Sequence, residues 1–153
     1  MKWMIVVCSL VLAGCGTSGQ IRSNYSHVPT DRFTYEVVNA GEMSVEGLVI
    51  LRARLDSTLA ALGRLAVDKD PAAKKIKIEI TEYRMRNGAT RALFGIMAGR
   101  DTIISDVRVF SAGGDVLGEI EINSRNASAW GTSHGLIEQH ADEIVGFVSG
   151  AKM

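Results

Sequence analysis

The chain has 153 residues, 46% of them hydrophobic and 22% charged, which suits one folded core and excludes a disordered polymer. Lys plus Arg and Asp plus Glu each number 17, and aromatic residues make up 6%. A chain with no positive excess and few rings offers neither the electrostatic footprint nor the stacking platforms of a nucleic-acid binder.

Residues 1–12 carry one positive charge, Lys2, followed by a short apolar run, the layout of a secretory signal too short for a permanent bilayer span. The run ends in Leu12-Ala13-Gly14-Cys15, which resembles the bacterial lipobox: a Leu, two small residues, then Cys. The resemblance implies that residues 1–14 are a lipoprotein signal peptide. It also implies that Cys15 becomes the lipid-modified first residue and that the domain is held to a membrane by its acyl chains. A plain cleaved signal with an incidental Cys15 is the alternative. Gly16 stands where an Asp often retains enterobacterial lipoproteins in the inner membrane, so the resemblance favours the inner leaflet of the outer membrane. Of the two cysteines, Cys8 leaves with the signal, so Cys15 is the sole thiol of the mature chain.

Residues 15–32 are polar and lack periodicity. They are expected to form a flexible linker reaching on the order of 20 Å. Residues 33–149 are expected to form a single α+β domain. Phe33–Val38 alternates as a first strand. Ser44 can cap a helix carrying Val45, Leu48, Leu51, Leu55, Leu59 and Leu62 on one stripe, running to about Val67. Lys75–Thr81 alternates strictly. Ile103, Val107 and Val109 share one face of a third strand, with Asp106 and Arg108 on the other. Ala112-Gly113-Gly114-Asp115 reads as a hairpin turn. Val116, Gly118, Ile120 and Ile122 then alternate with Glu119, Glu121 and Asn123. Ser133 can cap a final helix with Leu136, Ile137, His140, Ala141, Ile144 and Val148 along one side. The expected order is β-α-β-β-β-α: one mixed or mostly antiparallel four-stranded sheet, wet on one face, with two helices packed on the other.

The connection over residues 84–100 is unusually long and apolar for a hairpin loop. Leu93, Phe94, Ile96 and Met97 are flanked by Arg84, Arg86, Arg91 and Arg100. Three readings stay open. The loop covers an open end of the core, or it folds on binding. Otherwise it presents an apolar tip with a basic collar to an envelope protein or to anionic headgroups. On the last reading Arg91, Leu93, Phe94, Ile96, Met97 and Arg100 are the contact residues.

No catalytic, metal or cofactor signature is found. His134 and His140 are six apart, not on one helix face as zinc ligands at i and i+4 are. His140 lies on an apolar helix side, the usual place of a hydrogen-bonded core histidine. Ser133, His134 and Asp142 lack a nucleophile elbow, and no phosphate loop or dinucleotide fingerprint is present. Glu119 and Glu121 share a strand face and most simply meet water, opposite Arg108.

Taken in order, Ile78-Glu79-Ile80-Thr81-Glu82-Tyr83, Arg91-Ala92-Leu93-Phe94-Gly95, Ala98-Gly99, Asp106-Val107-Arg108-Val109 and Val116-Leu117-Gly118-Glu119 resemble the small bacterial lipoproteins grouped as domain of unknown function 4410. Ile96-Met97 depart from the smaller residues expected there. The resemblance implies fold and location and no mechanism. The expected function is that of a membrane-anchored, non-catalytic accessory or assembly component of the cell envelope, not an enzyme. Its expected partners are the bilayer, through Cys15, and an envelope protein. The alternative is a small-ligand module with a cleft between helices and sheet.

Overall fold

The computed structural model describes residues 16–67, 70–86, 100–126 and 132–150. They form β1 (Gly16–Ser23), β2 (Phe33–Asn39), α1 (Val45–Ala61), β3 (Lys74–Arg84), β4 (Asp101–Phe110), β5 (Val116–Asn126) and α2 (Ser133–Ser149). The strands make one mixed sheet in the order β1-β5-β4-β3-β2. β2 and β3 are parallel and joined by α1; all other pairs are antiparallel. The α+β class and the six expected elements stand, but the sheet has five strands, not four.

The additional strand corrects the flexible linker expected over 15–32. Gly16–Ser23 pairs along β5, from Gly16 opposite Arg125 to Ser23 opposite Glu119. The return segment is pinned as well. Tyr25 donates its hydroxyl to Asp31, Lys74 Nζ donates to Tyr25 Oη at 2.9 Å, and Lys74 lies 2.8 Å from the Asp31 carboxylate. Burial alone would raise the Asp31 carboxyl. The bonds from Lys74, Tyr25 and the Val28 amide outweigh it and hold the group below the usual range.

The core forms where the alternating faces meet the helices. Ile76, Ile78 and Ile80 of β3, Ile103, Val107 and Val109 of β4, and Ile120 and Ile122 of β5 are buried with Leu51, Leu55 and Leu59 of α1. From α2 come Leu136, Ile137, Ala141, Ile144, Val145 and Val148. Each large aliphatic side chain buried here contributes roughly 1.5–3 kcal/mol. Ser44 caps α1 by accepting from the Gly47 amide at 3.1 Å. The first helix stops six residues short of the expected Val67, because Gly63 adopts φ 67° and turns the chain. Residues 64–66 then pair with Phe33 instead: Phe33 N donates to Arg64 O at 2.8 Å and Ala66 N to Phe33 O at 2.9 Å. Leu62, just past that stop, and Val45, in the first turn, are exposed, though both are expected on the buried stripe. The hairpin turn holds as read. Gly114 takes φ 95°, and Ser111 Oγ accepts from the amides of Gly113 and Asp115. Thr132, one residue earlier than expected, caps α2.

Gly118 admits the return segment to the sheet. A Cβ there would sit 2.6 Å from the Tyr25 Cβ and 3.0 Å from its backbone Cα. Gly118→Ala is expected to lower the thermal midpoint by roughly 4–12 °C, through overpacking against backbone that cannot rotate away. Differential scanning calorimetry measures this, and an unchanged midpoint would show that residues 24–25 can lift off the sheet freely.

Candidate functional site

The topology gathers one end of the domain around the start of β1. Gly16, Arg125, Thr102 and Arg84 lie in one register row across β1, β5, β4 and β3, on the sheet face away from the helices. Arg84, Arg100 and Arg125 are exposed and have no carboxylate partner among the described residues. The N-termini of α1 and α2 emerge at the same end, since they follow the C-terminal ends of β2 and β5.

Beneath this row lies a buried ion pair. The Asp101 carboxylate accepts from the Arg86 backbone amide at 2.8 Å and from Arg86 Nε at 3.1 Å. Both side chains are nearly inaccessible to water. Arg86 also reaches the Asn126 carbonyl at 3.5 Å, so β3, β4 and β5 are tied where residues 87–99 leave and return.

A second buried polar chain holds β1 to the core. His140 of α2 has its Nε2 2.7 Å from Ser105 Oγ and its Nδ1 2.7 Å from Ser124 Oγ. Ser124 Oγ is in turn 2.9 Å from Thr17 Oγ1 on β1. A neutral imidazole donates from one nitrogen and accepts at the other, so one serine accepts and the other donates, and every ring nitrogen is satisfied. Burial pushes the His140 pKa down to about 3. His140 is therefore a hydrogen-bonded core histidine, as its place on the apolar helix side suggested. It is not poised for proton transfer near neutral pH.

The wet face of the sheet carries a fan of ion pairs. Arg22 reaches Asp106 and Glu119 at 3.1 Å and Glu121 at 2.6 Å, and Arg108 reaches Glu119 at 3.3 Å. The expected Arg108–Glu119 pair is thus present, with Arg22 of the unforeseen strand added to it.

A cleft of about 450 Å³ opens between β1, the return segment and α2. Ile21, Ile120, Tyr25 and Phe147 give it apolar walls. Two of its polar groups serve the fold: Asp142 takes two bonds from Arg54 of α1, at 2.7 and 2.8 Å, and His27 lies 3.4 Å from the Val148 carbonyl. Among the described residues no group of three or more His, Cys, Asp or Glu is arranged to hold a metal ion.

The contact residues expected from the sequence divide in two. Cys15 and Arg91, Leu93, Phe94, Ile96 and Met97 lie outside the described residues. Arg100 is described, exposed, and immediately precedes β4. The sequence groups Arg84 with Arg100 as flanks of one connection; that Arg125 joins them escaped sequence reading because it depends on register. The buried Ser105–His140–Ser124 group left a usable signal: a serine at a core-facing position in each of two strands, opposite a helix with one histidine on its apolar side.

Comparison with solved structures places the fold beside two PelC dodecamers from Paraburkholderia phytofirmans. One matches with 11% identity over 88% of this chain and 99% of the other, at a TM-score of 0.65. The other, a single-site variant, matches with 10% identity over 85% and 95%, at a TM-score of 0.60. At such identity the likeness is one of fold. No curated protein matches the sequence. The model of the domain of unknown function DUF4410 matches residues 35–129, from β2 through β5, and the chain belongs to that family.

Proposed function

We propose that this chain is a lipid-anchored envelope protein that works by non-catalytic protein contact, beginning with contact between its own copies. The observation that carries the reading is β1. It is an eight-residue edge strand with one neighbour in the sheet, and it starts one residue after Cys15. Edge strands present a row of unpaired amides and carbonyls, and proteins that must stay apart guard them with charge, proline or bulges. Here the first six residues, Gly16 to Ile21, carry no charge and no proline. The bulge and Arg22 come only at the far end. Such an edge can accept a strand from another chain. The PelC structures that share the fold are dodecamers.

Anchoring through Cys15 in the inner leaflet of the outer membrane completes the reading. A non-catalytic role fits a molecule whose shifted titratable groups serve packing. His140 is locked between serines, and the Tyr35 hydroxyl, raised by burial and by its bond to Asp56, ties β2 to α1.

Native mass spectrometry of the detergent-extracted chain tests this. The expected result is a defined assembly heavier than one chain. Ser18→Lys with Gln20→Lys, both at exposed positions on the wet face of β1, should reduce it to monomers while leaving the far-UV circular dichroism unchanged. A wild-type chain that is monomeric at every concentration would sink the self-assembly reading.

A further inference from the structure

The end of the domain that bears Gly16 carries more than an anchor. Gly16, Arg125, Thr102 and Arg84 occupy one row across four adjacent strands. At about 4.8 Å per strand, Arg125 starts roughly 5 Å and Arg84 roughly 14 Å from Gly16. Arg100 joins them at the same end, directly ahead of β4. These three guanidinium groups are exposed and without carboxylates among the described residues, whereas Arg22, Arg54 and Arg108 are each paired with acids. The adjoining carboxylate of Asp101 is buried against Arg86 and neutralises none of them. Of the acids near this end, Glu82 lies on β3 two residues from Arg84, and Glu42 and Glu46 belong to the segment entering α1, on the β2 side. Charge is therefore unevenly spread: basic below β5 and β4, mixed at the corner of β3, acidic toward β2.

We propose that this end is a docking surface for an anionic bilayer, with Arg84, Arg100 and Arg125 on lipid phosphates. The domain then stands on the membrane with β1 and β5 lowest and β2 lifted. The proposal rests on the reading that Cys15 carries the lipid. Two features select a bilayer as the occupant. The residue that would enter it is one position beyond the row, within about 4 Å of chain. The free charges are planar, bidentate phosphate binders, and they cluster at that end, two in the row and Arg100 just ahead of β4. An arginine near an anionic surface favours the docked state by about fivefold, so three together favour it by about 100-fold, within a Debye length that shrinks with salt.

The anchor and the docking are tested separately. Mass spectrometry of the chain purified from cells reads the acyl mass on residue 15; its absence removes the anchoring reading and the docking that rests on it, whereas failure of the docking assay removes docking alone. For docking, the chain from residue 15 onward, which contains all seven elements, is coupled through its sole thiol to a maleimide lipid in nanodiscs doped with gadolinium headgroups. Paramagnetic relaxation of backbone amides then reports which end faces the lipid. In phosphatidylglycerol discs the amides of residues 84, 100 and 125 should relax severalfold faster than in phosphatidylcholine discs, while that of Gly114 in the opposite turn changes little. R84Q/R100Q/R125Q should abolish the difference, lowering the docked-to-undocked ratio about 100-fold. R32Q/R52Q, which removes exposed arginines elsewhere, should preserve it. Equal relaxation in the two lipids overturns the proposal. So does a triple variant that behaves as wild type. If that triple variant instead loses its assembly while still facing the lipid, the arginines serve a protein partner and the proposal fails.

Discussion

Asp101→Ala is expected to destabilise the domain by about 3–5 kcal/mol, the cost of leaving a buried charge without its partner. Against a typical total of about 5–15 kcal/mol, that loss leaves a marginal fold. The reason is geometric. The carboxylate accepts from both the amide and the Nε of Arg86, and neither side chain can turn to water. Asp101→Asn keeps an acceptor for the backbone amide and removes only the charge, so its loss should be smaller. Urea titrations of the three proteins measure the series. If Asp101→Ala loses under 1 kcal/mol, water reaches Arg86 and the pair is not buried in solution.

His140 gives the second large effect. His140→Leu fills the space but strands the hydroxyls of Ser105 and Ser124, at about 1–3 kcal/mol for each buried group left unsatisfied. His140→Gln can bond both serines and should lose less. The histidine also makes stability depend on pH. Its pKa is 6.5 unfolded and is pushed down to about 3 in the fold by burial. Between those values the unfolded chain binds the extra proton, so stability rises with pH. The contribution is complete above pH 6.5 and disappears as pH falls toward 3. Wild type should lose about 2–3 kcal/mol between pH 6.5 and 4.5, at about 1.4 kcal/mol per unit. His140→Gln should show a flat profile over that range. Chemical denaturation at stepped pH tests the difference, and parallel profiles would mean that the buried ring accepts a proton in the folded state.

Much of the fold was legible because its central strands alternate cleanly. Ile76, Ile78 and Ile80 on one face, with Lys75, Lys77 and Glu79 on the other, leave little choice of orientation. The buried side of α2 could be read residue by residue for the same reason. β1 could not. Gly16-Thr17-Ser18-Gly19-Gln20 has weak strand propensity and no apolar alternation, and its pairing partner is about a hundred residues away. At Gly19 the strand runs close over the core: a Cβ there would lie 2.7 Å from the flexible tip of Ile120. A loop composition read locally therefore concealed a strand specified by tertiary contact. The arginine row was hidden similarly, since residues 84 and 125 become near neighbours only once β3, β4 and β5 are in register.

β1 begins at Gly16, so the domain has no slack between itself and residue 15. A long tether lets a domain tumble and sample partners in a hemisphere; on the anchoring proposed above, a strand that starts one residue after the lipid would hold the domain within a few ångströms of the surface. Copies held this way would share one upright direction. Their encounters would become a lateral search on a plane, in which the free edge of β1 meets neighbours that stand at the same tilt. Under that constraint, contacts that repeat from copy to copy stay in the plane of the membrane, where they can close on themselves instead of climbing into a filament.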